Sequence, residues 1–176
     1  MAGIVQGQRQ VPDYTQTPAF MGAFSYLQSR YGESAVSGIW CSILSQAFPA
    51  EEGYVCEPQY HNSGGFSDMT TIHYRPNAQG NIQRRVFLIT QAKRSGLETT
   101  ANWLQAEDQL NRYLAPLAPR HPILYGIVAI GKQVKFFVYS RRLRCVRPMR
   151  RQNRGYHISD DASLIIRRLT EIKRNH

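Results

Sequence analysis

Between Glu33 and Phe48 the apolar residues recur at intervals of three and four. Val36, Ile39, Trp40, Ile43, Leu44 and Phe48 fall on one stripe, so the spacing predicts a helix with a single buried face, stopped by Pro49. A second helix is predicted in "TTANWLQAEDQLNRYLAPL", where Trp103, Ala106, Leu110, Tyr113, Leu114 and Leu117 align. A third is predicted in "SDDASLIIRRLTEIKR", which opens on Ser159, Asp160 and Asp161 and closes on cations, as capping preference and the helix dipole favour. Between these helices the period changes to two. "GYVCEPQY" reads as a strand of imperfect alternation with Val55, Glu57 and Gln59 on one face. "FSDMTTIHYR" and "IQRRVFLITQAK" read as a hairpin about the turn residues "PNAQGN", and "ILYGIVAIG" and "QVKFFVYS" as two further strands. The order is helix, three strands, helix, two strands, helix. It predicts an α/β fold, a mixed β-sheet flanked by helices.

Residues 1–17 carry Gln, Pro and polar residues without periodicity and are expected to form a flexible N-terminal arm, with helical pattern beginning after Pro18 and a single domain over 18–176. The 176-residue length fits one domain. The longest uncharged apolar run, "PILYGIVAIG", is far shorter than the roughly 20 residues that span a bilayer, and the N-terminus lacks the apolar core of a secretory signal. The expectation is an intracellular protein, nuclear or cytoplasmic, without membrane contact. Cys41, Cys56 and Cys145 are too widely spaced for a zinc knuckle and odd in number, which fits buried reduced thiols, with Cys41 and Cys56 expected in the core.

Charge narrows the partner. The formal net charge is +10, and the segment Arg141 to Arg154, "RRLRCVRPMRRQNR", holds seven arginines and no acid, leaving +3 for everything else. Arg141, Arg142, Arg144, Arg147, Arg150, Arg151 and Arg154 are therefore candidate contacts to nucleic-acid phosphates, because guanidinium groups match phosphate geometry. A solvated loop or a nuclear-import signal would use the same residues.

Candidate chemistry gathers at the end of the hairpin. Gln91 and Lys93 lie two apart at the polar end of an otherwise apolar strand, so they share a face, and pairing about the turn brings Asp68 beside them. Each has a plainer reading: Asp68 as a turn former, Gln91 and Lys93 as a charged strand end, and Glu33 as a first-turn helix acid. "GIVAIGKQ" has the outer spacing of a phosphate loop but contains a strand in place of a glycine cradle.

In their order along the chain, "SD" at Ser67–Asp68 and "QAK" at Gln91–Lys93 resemble the PD-(D/E)XK nuclease superfamily, with its restriction-endonuclease-like fold, in a Gln-x-Lys variant similar to modification-dependent restriction endonucleases. "QLNRY", Gln109 to Tyr113, resembles the Gln-x-x-x-Tyr helix motif of nuclease domains in bacterial recombination helicases, and the whole pattern, over about residues 33 to 140, is similar to small fungal members of the superfamily. The resemblance implies a metal-dependent nuclease. Asp68, Gln91 and Glu33 would be ligands of Mg²⁺ (or Mn²⁺), Lys93 would be the catalytic lysine, and Gln109 and Tyr113 would contact nucleic acid, with DNA favoured over RNA. Glu57 is a rival third ligand. Because Gln91 supplies an oxygen without charge, the alternative is an inactive nuclease-fold protein that binds nucleic acid or a protein partner, an intracellular effector included.

Overall fold

A computed structural model describes residues 11–27, 32–59, 61–62, 65–66, 68–149, 152 and 154–176, with 61–62 and 65–66 described by their backbone alone. The helices are α1 (Pro18–Tyr26), α2 (Glu33–Ala47), α3 (Thr100–Leu114) and α4 (Ala162–Asn175). The strands are β1 (Tyr54–Pro58), β2 (His61–Asn62), β3 (Gly65–Phe66), β4 (Met69–Pro76), β5 (Ile82–Lys93), β6 (Tyr125–Ile130), β7 (Gln133–Ser140), β8 (Cys145–Pro148) and β9 (Tyr156–His157). One sheet runs β1-β4-β5-β6-β7-β8, with β9 also paired to β7, while β2 and β3 pair with each other. Among the described strands, β5 and β6 are parallel and every other pair is antiparallel. The mixed α/β sheet flanked by helices expected from the sequence is the fold found.

The parallel pair requires a crossover, and α3 supplies it. Apolar stripes then decide which helix covers which face. Val36, Ile39, Trp40, Ile43 and Leu44 of α2 and Ile165, Leu169 and Ile172 of α4 pack with Phe87, Leu88, Ala92, Ile127 and Ala129 in one core. Trp103, Ala106, Leu110, Tyr113 and Leu114 of α3 pack with Val86, Ile89, Val128 and Ile130 in the other. Close approach of α3 depends on Gly126, since a Cβ there would collide with Leu110.

Strict alternation breaks once along β5. The register steps from Leu88↔Thr71 to Val86↔Ile72, so Phe87 is an extra residue on β5. This bulge lets Phe87 and Leu88 enter the same core while Val86 faces the other. The turn between β4 and β5 is built as expected, with Asn77 Oδ1 accepting from the backbone N–H of Gln79 (3.0 Å) and Asn81 (2.9 Å), and Gly80 at φ 83°.

Two expectations are corrected. The arm assigned to 1–17 is anchored from residue 11 onward: Val11 and Tyr14 are buried, and the Tyr14 hydroxyl donates to the Ile158 carbonyl at 2.7 Å. Residues 1–10 lie outside the described ones. Cys41, expected in the core, is exposed on α2 and Cys56 is only half-buried. Within the arginine-rich segment Cys145–Pro148 form β8, where Val146 pairs with Tyr139 on the edge of β7.

Where α4 ends, His73 and His176 meet with Nδ1 and Nε2 2.9 Å apart. His73 Nε2 contacts the Glu52 carbonyl (3.1 Å) and His176 Nδ1 the Ile172 carbonyl (3.0 Å), so the facing nitrogens are the acceptors and Arg75 Nε donates to His73 Nδ1 at 2.8 Å. Burial, and then the Arg75 charge, pushes both imidazoles down to about 4. A histidine held neutral when folded and protonated near 6.5 when unfolded contributes stability above pH 6.5 that is lost as pH falls toward 4. The unfolding free energy from denaturant titration is expected to be about 1–2 kcal/mol higher at pH 7 than at pH 4.5 on account of this pair, after discounting for solvent screening. A His73→Gln, His176→Gln protein should lose most of that difference.

Candidate functional site

β4 and β5 set the site. The last register pair of the hairpin is Met69↔Thr90, and Asp68, one residue earlier, is level with Gln91. Asp68 is tied to the neighbouring backbone twice. Its Oδ2 accepts the Ala92 N–H at 2.7 Å, and its carbonyl accepts the Gln59 N–H at 2.9 Å. A carboxylate in this position prolongs the ladder where strand pairing stops, which fixes its place against β5.

Lys93 is the last residue of β5, and its ammonium lies 3.5 Å from Glu33 Oε2 at the first turn of α2. Burial raises the Asp68 carboxyl above the ordinary aspartate range. The Ala92 N–H and the Lys93 charge pull it back, and Glu33 pushes it further up. Asp68, Lys93 and Glu33 thus act on one another as a minus, plus, minus group, half-buried at the end of the sheet.

Gln91 is the unusual member. It is fully buried, and neither its Oε1 nor its Nε2 has a hydrogen-bond partner. Its register partner is Val128, a residue of the core under α3, so the amide sits among apolar groups. An unsatisfied buried polar group costs about 1–3 kcal/mol. Among the described residues no other side chain leaves two polar atoms in this condition. The Gln91 amide oxygen and the carboxylates of Asp68 and Glu33 are oxygen donors of the kind Mg²⁺ takes, although among the described residues no three His, Cys, Asp or Glu side chains gather as a metal-holding group.

The remaining candidates are elsewhere. Gln109 Nε2 donates to the Tyr113 hydroxyl at 2.9 Å, one turn along α3. Leu110 overlies Gly126, the partner of Ile89, and Asn111 Oδ1 accepts the Val146 N–H at 3.0 Å, so this part of α3 faces the start of β6, the end away from Lys93. Glu57 is engaged by Arg84 at 2.8 Å. Arg141 donates to the carbonyls of Ala118 and His121, and Arg154 holds Asp161 with two bonds of 2.7 Å. Arg142, Arg144 and Arg147 are exposed, and Arg150 and Arg151 lie outside the described residues. The arginines are not one patch: Arg154 secures the start of α4, whereas Arg141 and Arg144 flank the turn after β7.

Comparison with known proteins leaves this geometry to speak alone. No family model, curated protein or solved structure matches the chain. The signals that singled out Asp68, Gln91, Lys93 and Glu33 were their residue types and register. What pattern reading missed is that Gln91 is enclosed, since a glutamine at a polar strand end normally points to water.

Proposed function

We propose that the protein is a metal-dependent nuclease that hydrolyses nucleic-acid phosphodiester bonds at the Asp68–Gln91–Lys93 end of the sheet. The observation that carries this reading is the pairing of a tethered, half-buried Asp68 with an orphaned amide at Gln91 and a lysine two residues further on. The layout is consistent with it: a helix, an antiparallel meander of three strands, a crossover helix and a parallel fourth strand follow the order that the nuclease resemblance implies.

In this reading Asp68, Gln91 Oε1 and Glu33 hold the metal. A bound Mg²⁺ or Mn²⁺ lowers the pKa of an attacking water and offsets charge developing on phosphate. Asp68 contributes the anion, kept in place by the Ala92 N–H, and its raised pKa means that binding displaces a proton more readily held than on an exposed aspartate. Lys93 orients the water and stabilises the negative oxygens of the transition state. Glu33 keeps the Lys93 ammonium at the strand end. The net charge of +10 draws the polyanion, and no helix among the described residues is long and apolar enough to cross a membrane.

A second reading is favoured by one fact, the missing charge at position 91. The same surface would then bind nucleic acid without cutting it. Titrating Mg²⁺ and Mn²⁺ against plasmid, linear duplex and single-stranded substrates, with Asp68→Ala as control, separates the two. Metal-dependent cleavage that vanishes in the control is expected; binding without cleavage at any metal concentration would favour the second reading.

A further inference from the structure

The end of the sheet opposite Lys93 collects arginines from three separate segments. Arg84 and Arg85 open β5, Arg120 stands with His121 in the connection from α3 to β6, and Arg141 and Arg144 flank the turn after β7. Register brings them together. Parallel pairing of Leu88 with Tyr125 sets His121 level with Arg84, and the Tyr139 N–H donates to the Leu124 carbonyl at 2.9 Å, so β7 ends at the same edge.

Arg141 is fixed there by its bonds to the Ala118 and His121 carbonyls. The His121 imidazole is held below its ordinary value by burial, and then by Arg85, Arg84, Arg120 and Arg141 in turn. Among the described residues, the charges that act on it are all guanidinium groups. Beside the cluster a cleft of about 480 Å³ is lined by Ala115, Ala118, Pro119, Tyr139, Arg141 and Arg144.

Arg84 is offset by Glu57 at 2.8 Å, but among the described residues Arg85, Arg120 and Arg144 have no carboxylate partner. Gathering like charges at one edge works against folding unless an anion joins them. Arg141, held by two backbone carbonyls with Arg144 beside it on the cleft wall, is preorganised for phosphate oxygens.

The geometry points to a second phosphate-binding surface, formed by Arg85, Arg120, Arg141 and Arg144, that grips nucleic-acid backbone at the end of the sheet remote from Asp68 and Lys93. Eight residues of β5 separate Arg85 from Lys93, roughly 26 Å at about 3.3 Å per residue. At about 3.4 Å per nucleotide of duplex, that is some eight base pairs from the candidate catalytic centre. The reach to a scissile bond rests on the nuclease reading, whereas the anchor itself does not. It implies a substrate class: backbone that continues for about eight base pairs or more past the bond cut, so that short oligonucleotides engage only one end of the protein.

The test measures binding of wild-type protein in chelator, where no cutting occurs, to labelled duplexes of about 6 and about 20 base pairs. The long duplex is expected to bind more than tenfold tighter. A variant carrying Arg85→Gln, Arg120→Gln and Arg144→Gln, its fold checked by circular dichroism and thermal melting, should lose that advantage. Its slope of log K against log salt on the long duplex should fall by about 2–3, at about 0.9 per phosphate contact, while its binding to the short duplex changes little. The pair Arg120→Gln, Arg144→Gln, both at exposed positions, should give a proportionate part of the loss if the triple variant folds poorly. Equal binding by variant and wild type, or an equal loss on both lengths, would overturn the remote anchor. Failure of the nuclease reading would show differently, as intact length-dependent binding with no metal-dependent cleavage.

Discussion

Replacing Lys93 by Ala is expected to abolish cleavage while leaving nucleic-acid binding within a few-fold of wild type. A single preorganised group that stabilises transition-state charge is commonly worth 10²–10³ in rate, about 3–4 kcal/mol, whereas one charge among many contributes little to affinity for a polyanion. The geometry adds a distinction. Lys93 is paired with Glu33 at 3.5 Å, so Lys93→Ala also frees that carboxylate. If the lysine only stapled the sheet to α2, Glu33→Gln would be as damaging as Lys93→Ala. In the catalytic account Glu33→Gln retains a hydrogen-bonding oxygen and loses less. Single-turnover rates with saturating protein, alongside equilibrium binding, read the split.

The second large effect is on stability and activity in opposite directions. Gln91→Leu removes two buried polar atoms that have no hydrogen-bond partner and inserts an apolar side chain of similar size level with Val128. Stability should rise by about 1–3 kcal/mol, the cost of burying an unpaired polar group, and the melting temperature by several degrees. Cleavage should disappear. A residue retained against the stability of the fold is expected where a ligand completes its bonding. A Gln91→Leu protein that melts lower than wild type would mean that the amide is satisfied in solution and is a structural element.

Much of this arrangement is legible from residue order. The helices α2, α3 and α4 follow from apolar stripes, and the hairpin from "PNAQGN", because these elements bury one face and carry local turn chemistry. The turn brings Asp68 to the end of β5, but its register alone would set Asp68 opposite Thr90; the extra residue at Phe87 moves it level with Gln91. What escaped pattern reading has identifiable causes. Val11 and Tyr14 are two core residues embedded in polar, proline-bearing sequence, too few to give a period. The extra residue at Phe87 interrupts alternation without any glycine or proline to mark it. β8 is a short edge strand whose one arginine, Arg147, is exposed, so composition gave no strand signal while backbone pairing with β7 prevailed. "QLNRY" lies on the expected helix, but Gln109 and Tyr113, expected to face the strand ends, hydrogen-bond to each other, and the direction of the crossover carries that turn away from Lys93.

In the proposed function Asp68 and Gln91 are oxygen ligands of one metal at a working phosphodiesterase centre. The Mg²⁺ dependence of cleavage by wild type, Gln91→Glu and Asp68→Asn tests it most directly. Gln91→Glu restores a charge in the buried ligand position, so it should be destabilised without metal, regain stability as Mg²⁺ is added, and reach half-maximal cleavage at a lower Mg²⁺ concentration than wild type. Asp68→Asn keeps an oxygen for the Ala92 N–H but loses the anion, and should not cleave at any Mg²⁺ concentration. Cleavage that is independent of metal, or that persists undiminished in Asp68→Asn, would contradict the assignment.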